Sequence, residues 1–422
     1  MSIDALVEIS RYYGGNPAYV LAGGGNTSYK KGDTLFVKAS GHALAEASAE
    51  SFVEMDRKAL SQIVRKSYPQ PAEDDPNGGK RESAVLADMM AAKKNAGDGK
   101  RPSVEALLHD LLPFPFVVHL HPALVNGVTC ARQGEAAVGE IFPGGAIWIP
   151  ISNPGYTLTI RVKKAMDAYQ EKYRKPASVI FLQNHGVFVS AETTDGIREQ
   201  YGEIMSKIAG RIKREPDFFG EERITNKTTE YTETHGEEKE LSPRRQDAED
   251  AKPIPDNSFA PLRLCEMKFE VMQILKELAG AAAFINNREI SSFVKDRASF
   301  APVSSAFTPD HIVYSGSDPL FVDIGADIRD APQIKARLLE AWKSHIAKTG
   351  RNAKTIAVQG LGVFGAAATE KAADLALDLF KDTVKVAVYA ESFGGPLFMT
   401  ADEIGFINNW EVERFRSAVS TK

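Results

Sequence analysis

The sequence predicts an α/β protein whose second half is a degenerate copy of its first. At 422 residues the chain exceeds what one hydrophobic core usually spans, so two domains or subdomains are expected. Short β-branched runs alternate along it with longer segments of helical apolar spacing. Finally, Leu182-Gln-Asn-His-Gly-Val-Phe-Val-Ser-Ala-Glu-Thr193 aligns without gaps on Val358-Gln-Gly-Leu-Gly-Val-Phe-Gly-Ala-Ala-Ala-Thr369. Each copy follows a strand and a helix, Trp148–Ile151 with Leu158–Arg174 and Leu320–Ile324 with Gln333–Lys348, and precedes another helix. Leu361 stands where His185 stands, so the second copy is expected to hold no metal.

The elements read in order as follows. Residues 3–13 form a helix that stops at Gly14-Gly15-Asn16-Pro17. A glycine loop, Gly23-Gly24-Gly25-Asn26, leads into a strand at Thr27–Lys30, and Thr34–Lys38 is a second strand ended by Ser40-Gly41. The stretch 69–102 is rich in Pro, Asp, Gly and Lys around a helical piece at Glu82–Lys93. Val104–Leu111 reads as a helix, Val117–His121 and Ala146–Ile151 as strands, Leu158–Arg174 as a helix and Val179–Gln183 as a strand. A last helix of this half runs from about Thr194 to Arg214. Residues 215–257 are charge-dense and poor in apolar side chains, with Glu-Glu-Lys-Glu at 237–240, and read as a linker or surface excursion. The expected domains are therefore 1–214 and 258–422.

Composition excludes several classes of function. Apolar and charged contents of 43% and 25% are those of an ordinary globular protein. The balance of 51 basic against 56 acidic side chains gives −5, which argues against nucleic-acid or membrane-surface partners while leaving room for a local basic pocket. Two cysteines, Cys130 and Cys265, make no disulfide framework and point to a reducing, cytoplasmic compartment. The N-terminal stretch is not a signal peptide, and no apolar run approaches membrane-spanning length.

The chemistry gathers at three histidines and a glutamate. His119 and His121 lie two apart in Val-Val-His-Leu-His-Pro, and in a strand such residues share a face. Two imidazoles on one face suit Zn²⁺ or a similar divalent transition metal, and His185 in Gln-Asn-His-Gly completes three ligands with a position left open for substrate. Glu105 is a fourth ligand, a general base, or simply an acid at a helix N-terminus. His109, one helical turn on, either orients Glu105 or is a surface residue. His42 reads as a loop residue, and His235, His311 and His345, in polar surroundings, read as solvated. Gly25-Asn26-Thr27-Ser28 and Ala39-Ser40-Gly41 are the candidate anion cradles, since glycines admit close backbone approach and successive N–H and O–H groups can hold a phosphate. Lys30 and Lys38 are possible charge complements.

These motifs resemble the class II aldolase/adducin family over roughly residues 5–210. With the tail Ala-Glu-Ser-Phe-Gly-Gly-Pro-Leu (390–397), the chain resembles the aldolase half of bifunctional rhamnulose-phosphate aldolase/dehydrogenase proteins. The resemblance implies a mostly antiparallel central sheet flanked by helices, a catalytic Glu105 and a phosphate site at Gly25, Asn26, Thr27, Ser28, Ser40, Gly41 and Ser103. Val104 replaces the second serine of the family's commoner pattern. The implied reaction is metal-dependent cleavage of a phosphorylated ketose such as rhamnulose 1-phosphate in a homo-oligomer. Epimerases, decarboxylases and dehydratases of the family share the same metal site, and adducin-like modules keep the fold without it. The aldehyde oxygen also needs an acid, for which Tyr156 is a weak candidate.

Gly360-Leu-Gly-Val-Phe-Gly365 matches the dinucleotide-binding Gly-x-Gly-x-x-Gly after a strand and before a helix, with Glu391 further on. Spacing argues against it, because Glu391 is too distant and little chain remains for a nucleotide domain.

Overall fold

The structure is a computed structural model that describes residues 3–69, 78–225, 260–325 and 331–410. Most of the charged segment 215–257, with its Glu-Glu-Lys-Glu run, lies outside the described residues. The chain forms two compact units. The first comprises Met1–Pro216, Ser305–Val313 and Lys381–Lys422, and the second Asp217–Ser304 and Tyr314–Phe380. The units differ from the contiguous boundaries expected from sequence, because residues 305–313 and 381–410 group with the first half. The amide of Asn184, for example, donates to the carbonyls of Phe307 and Leu397.

In the first unit the strands are β1 (Asn26–Lys31), β2 (Thr34–Lys38), β3 (Phe52–Asp56), β4 (Phe116–Leu120), β5 (Ile147–Ile149), β6 (Val179–Leu182) and β7 (Gly186–Ala191). They form one sheet in the order β3-β2-β1-β4-β7-β6-β5. All its pairings are antiparallel except β5 with β6. The sheet is covered on both faces, and period-two alternation sorts its side chains. Val118, Val187 and Val189 join Leu6, Ile9, Tyr13, Tyr201 and Ile204 from the helices Ile3–Gly14 and Thr194–Ala209. Val117 and Phe188 join Leu108, Leu158 and Val162 from the helices Ala106–Leu111 and Tyr156–Tyr173. Burying each such side chain contributes about 1.5–3 kcal/mol before entropy is counted.

Strand β3 was not anticipated from sequence. It runs straight into the helix Arg57–Arg65, where the Asp56 carboxylate accepts from the backbone N–H groups of Lys58 and Ala59 at 2.8 and 3.3 Å. That is an ordinary N-cap.

The second unit repeats the core of this sheet. Its strands β8 (Glu222–Ile224), β9 (Ala281–Asn286), β10 (Leu320–Val322), β11 (Thr355–Val358) and β12 (Gly362–Ala367) lie in the order β10-β11-β12-β9-β8. Only β10 and β11 are parallel. This is the pattern of β5-β6-β7-β4-β1, and the register matches too: Val179 faces Val189 and Leu182 faces Gly186, as Thr355 faces Gly365 and Val358 faces Gly362. Its core is built from Phe284 and Phe364 with Val271, Leu275, Leu338 and Trp342 of the helices Ala260–Ala279 and Ala331–Thr349. Strand β8 falls at the start of the segment read as a linker. Three residues with a central Arg223 carry no strand signature, yet that guanidinium is held by Asp374 and Asp378.

The glycine fingerprint is resolved by this topology. Gly360 sits in the tight turn between β11 and β12 with a φ of 69°, and Gly365 lies inside β12. A dinucleotide turn opens directly into a helix, whereas here an antiparallel strand runs on to Ala367. Among the described residues no helix is long and apolar enough to cross a membrane.

Candidate metal centre

The site is assembled at one end of β1, β4 and β7. Asn26 of β1 faces His119 of β4, and His119 faces Phe188 of β7. His121 follows β4 directly, on the same side as His119. His185 occupies the turn between β6 and β7, where Asn184 takes a left-handed φ of 54°, a conformation asparagine tolerates better than most residues. The turn leaves no room beyond a glycine at 186. A Cβ there would lie 2.5 Å from the Leu120 carbonyl oxygen and 2.7 Å from His121 Cδ2.

The three imidazoles converge. His119 Nε2 lies 2.9 Å from His121 Nε2 and 3.4 Å from His185 Nε2, and one ring nitrogen from each of the three falls within 4.8 Å of the others. Their outer nitrogens assign the tautomers. His119 Nδ1 donates to the Val187 carbonyl at 3.1 Å, and His121 Nδ1 donates to Asp310 Oδ2 at 2.5 Å. In the neutral form of each ring that leaves the lone pair on Nε2, turned toward the other ring. Such lone pairs repel unless a cation lies between them, so the donor set suits a divalent metal with an imidazole preference. Phe188 stacks on His119 with ring centroids 4.0 Å apart, which fixes its plane.

Glu105 is buried and precedes the helix Ala106–Leu111, but its side chain does not cap that helix. Instead Oε2 accepts from Asn26 Nδ2 at 2.7 Å and lies 3.6 Å from His119 Nε2. Oε1 lies 3.7 Å from His185 Nε2 and has no hydrogen-bond partner among the described residues. A buried carboxylate oxygen without a donor is costly in isolation and fits a position beside a cation or a proton-carrying substrate.

His109 is fully buried, not the surface residue that one sequence reading allowed. Its Nε2 donates to Asn26 Oδ1, and its Nδ1 accepts from Ser28 Oγ at 2.7 Å. Burial, and then the charges of His119, Lys30 and Lys38, push its pKa well below the usual histidine range, so it is neutral. The chain Ser28–His109–Asn26–Glu105 therefore sets which end of the Asn26 amide faces the carboxylate.

The adjoining cleft is lined by Gly25, Asn26, Lys38, Ser40, Gly41, Ser103, Val104, Glu105, His121, His185 and Pro309. Thr27 and Ser28, the other two candidates for an anion cradle, have hydroxyls engaged elsewhere, Thr27 with Ser10 Oγ at 2.7 Å and Ser28 with His109. Lys38 Nζ donates to the His42 carbonyl at 2.6 Å, at the cleft. Lys30 is buried under the Leu112 and Phe114 carbonyls, and burial lowers its pKa to about 7. The Tyr156 hydroxyl donates to the Lys66 carbonyl.

His311 also departs from expectation. It is buried, with Nε2 3.2 Å from Asp382 Oδ2, and His345 is half-buried. His235 lies outside the described residues. Sequence reading missed Asp310 altogether, since an aspartate after a proline reads as a turn residue.

The mostly antiparallel sheet thus carries three convergent imidazoles, which could hold a metal ion, beside a buried glutamate. Residues 4–203 match the Class II Aldolase and Adducin N-terminal domain, the family that this half of the chain resembles. A relative from Bacillus subtilis strain 168, named an uncharacterized oxidoreductase YuxG, is 20% identical over 443 aligned residues. The alignment covers 98% of this chain, which spans 58% of that relative's length. Among solved structures, the N-terminal class II aldolase domain of a Thermoplasma acidophilum protein is 24% identical over 50% of this chain and 93% of its own, with a TM-score of 0.41. The L-fuculose-1-phosphate aldolase from Thermus thermophilus is 15% identical over 49% of this chain and 92% of its own, with a TM-score of 0.30.

Proposed function

We propose that the chain is a divalent-metal-dependent lyase that cleaves a ketose 1-phosphate, such as rhamnulose 1-phosphate, into dihydroxyacetone phosphate and an aldehyde. The observation that carries this reading is the buried Glu105 carboxylate, one oxygen held by Asn26 and the other without a hydrogen-bond partner among the described residues, beside three converging imidazoles. His119, His121 and His185 would hold the ion, with Zn²⁺ the best match to an all-imidazole set. When bound, the ion supplies Lewis-acid polarisation of the ketose carbonyl and its neighbouring hydroxyl.

The remaining chemistry belongs to the chain. Glu105 moves the proton at the carbon next to the carbonyl, returning it where C–C scission leaves an electron pair and removing it in the reverse direction. Asn26 holds Oε2, so that Oε1 is the oxygen that handles this proton. The phosphate would lie against Gly25, Ser40, Gly41 and Ser103, with Lys38 as the nearby cation, while Thr27 and Ser28 shape β1. Val104 removes one hydroxyl from that wall. A purely structural, adducin-like role is disfavoured, because a scaffold gains nothing from facing lone pairs and an unpartnered buried carboxylate oxygen.

The test pairs metal content per chain with dihydroxyacetone phosphate release from rhamnulose and fuculose 1-phosphates. About one metal per chain is expected, and Glu105→Gln should keep the metal while slowing release by about 10²–10⁴-fold. Metal without cleavage of any ketose 1-phosphate would overturn the lyase reading and favour an epimerase or decarboxylase. A metal-free protein would overturn the centre itself.

A further inference from the structure

We propose that Ser305–Val313, which lies within the sequence of the second copy, is a built part of the metal centre, and that Asp310 is a positioning residue for His121. This rests on the metal-binding part of the reading above, not on the choice of reaction.

The segment reaches two of the three histidines by separate routes. Asp310 Oδ2 accepts from His121 Nδ1 at 2.5 Å, with both side chains largely removed from solvent. One residue pair thereby fixes the tautomer and the ring plane of His121, directing Nε2 to the point where His119 and His185 converge. A carboxylate behind a metal-ligating imidazole also raises its basicity. Room for that carboxylate is provided by Gly24, where any Cβ would stand 2.6 Å from Asp310 Oδ2. The second route is backbone. The Phe307 carbonyl accepts from Asn184 Nδ2 at 3.0 Å, and Asn184 is the left-handed residue that presents His185.

The segment is itself anchored on both sides of Asp310. On one side, Met399 N donates to the Ala306 carbonyl at 3.1 Å and Phe307 stacks on Phe398 at 4.7 Å. On the other, buried His311 pairs with Asp382 at 3.2 Å. Pro309 lines the cleft beside His121 and His185.

The test measures Co²⁺ affinity by chelator competition, and the Co²⁺ ligand-field absorption, on the full chain and on Asp310→Asn and Asp310→Ala. Asparagine keeps the shape and an acceptor oxygen but not the charge, so it preserves the fold if alanine does not. The expected order of affinity is wild type, then Asn, then Ala, with a loss of about 10–100-fold at the end of the series and a changed absorption envelope. Thermal midpoints of the metal-free proteins should agree for wild type and Asp310→Asn. Unchanged affinity and spectrum in both variants would overturn the role of Asp310 while leaving the metal centre standing. A wild type that binds no Co²⁺ or Zn²⁺ would overturn both.

Discussion

The two hairpins β6–β7 and β11–β12 have the same length, register and flanking order, yet one faces three converging imidazoles and the other a hydrophobic core. Transferred through the strand pairings, Asn26 corresponds to Ile224, His119 to Phe284, His121 to Asn286 and His185 to Leu361. Where Phe188 stacks on His119, Phe364 packs on Phe284 at 4.9 Å. Leu361 is 2% exposed. At the turn, Asn184 and Gly360 share a left-handed backbone, but only the asparagine brings an amide to hold its turn in place. The scaffold thus survives the loss of all three histidines, because residues of similar size, two of them apolar and one an amide, fill the same positions. Function here is a handful of side chains set on a fold that does not need them.

The largest test of that comparison imports the second copy's residue into the first. His185→Leu should fold, since its counterpart is a buried leucine, and should lose metal affinity by roughly 10²–10³-fold with one of three ligands gone. Metal analysis after dialysis checks this; retained stoichiometric metal would mean that His185 is not a ligand.

A smaller effect separates packing from chemistry. Gly186→Ala and Gly362→Ala each force a Cβ against backbone and ring atoms, within 2.5 Å of the Leu120 oxygen and 2.7 Å of Phe284 Cε2 respectively. Each should cost about 1–3 kcal/mol in denaturant melts. Only the first should also weaken metal binding, because it pushes on His121. Equal effects on metal binding would dissolve the distinction between the copies.

The smallest expected effect concerns Lys30. Burial holds its pKa at about 7, below the ordinary 10.5, so above pH 7 the unfolded chain binds more protons and stability rises with pH. The destabilisation is complete below about pH 7 and fades toward pH 10.5. Lys30→Met should therefore exceed wild type most at low pH, with the gap closing by about 1 kcal/mol per pH unit above 7. Melts at pH 7.5 and 8.5 decide it, and a constant gap would place the titration elsewhere.

Much of this was legible locally. The His-x-His spacing, the Asn-His-Gly turn, the glutamate after Pro102-Ser103 and the twelve-residue repeat are patterns that strand and turn geometry read directly from neighbouring residues. Strand β3 and β8 were missed for the complementary reason, since short edge strands with charged members carry little periodic signal. His311 looks solvated when judged by its neighbours in sequence, and one of two readings put His109 on a helix surface, yet each is buried against a partner far along the chain.

The sequence by itself determined which chemistry is available: three imidazoles and a carboxylate, a glycine where only glycine fits, and a second copy in which the ligand positions are apolar or amide. Only the tertiary structure decided that Oε2 of Glu105 is held by Asn26, that the Thr27 and Ser28 hydroxyls are engaged by Ser10 and His109, and that Asp310, 189 positions beyond His121, hydrogen-bonds its ring. Periodicity constrains residues a few positions apart, whereas convergence over such separations is set by sheet register and by the path of the returning chain.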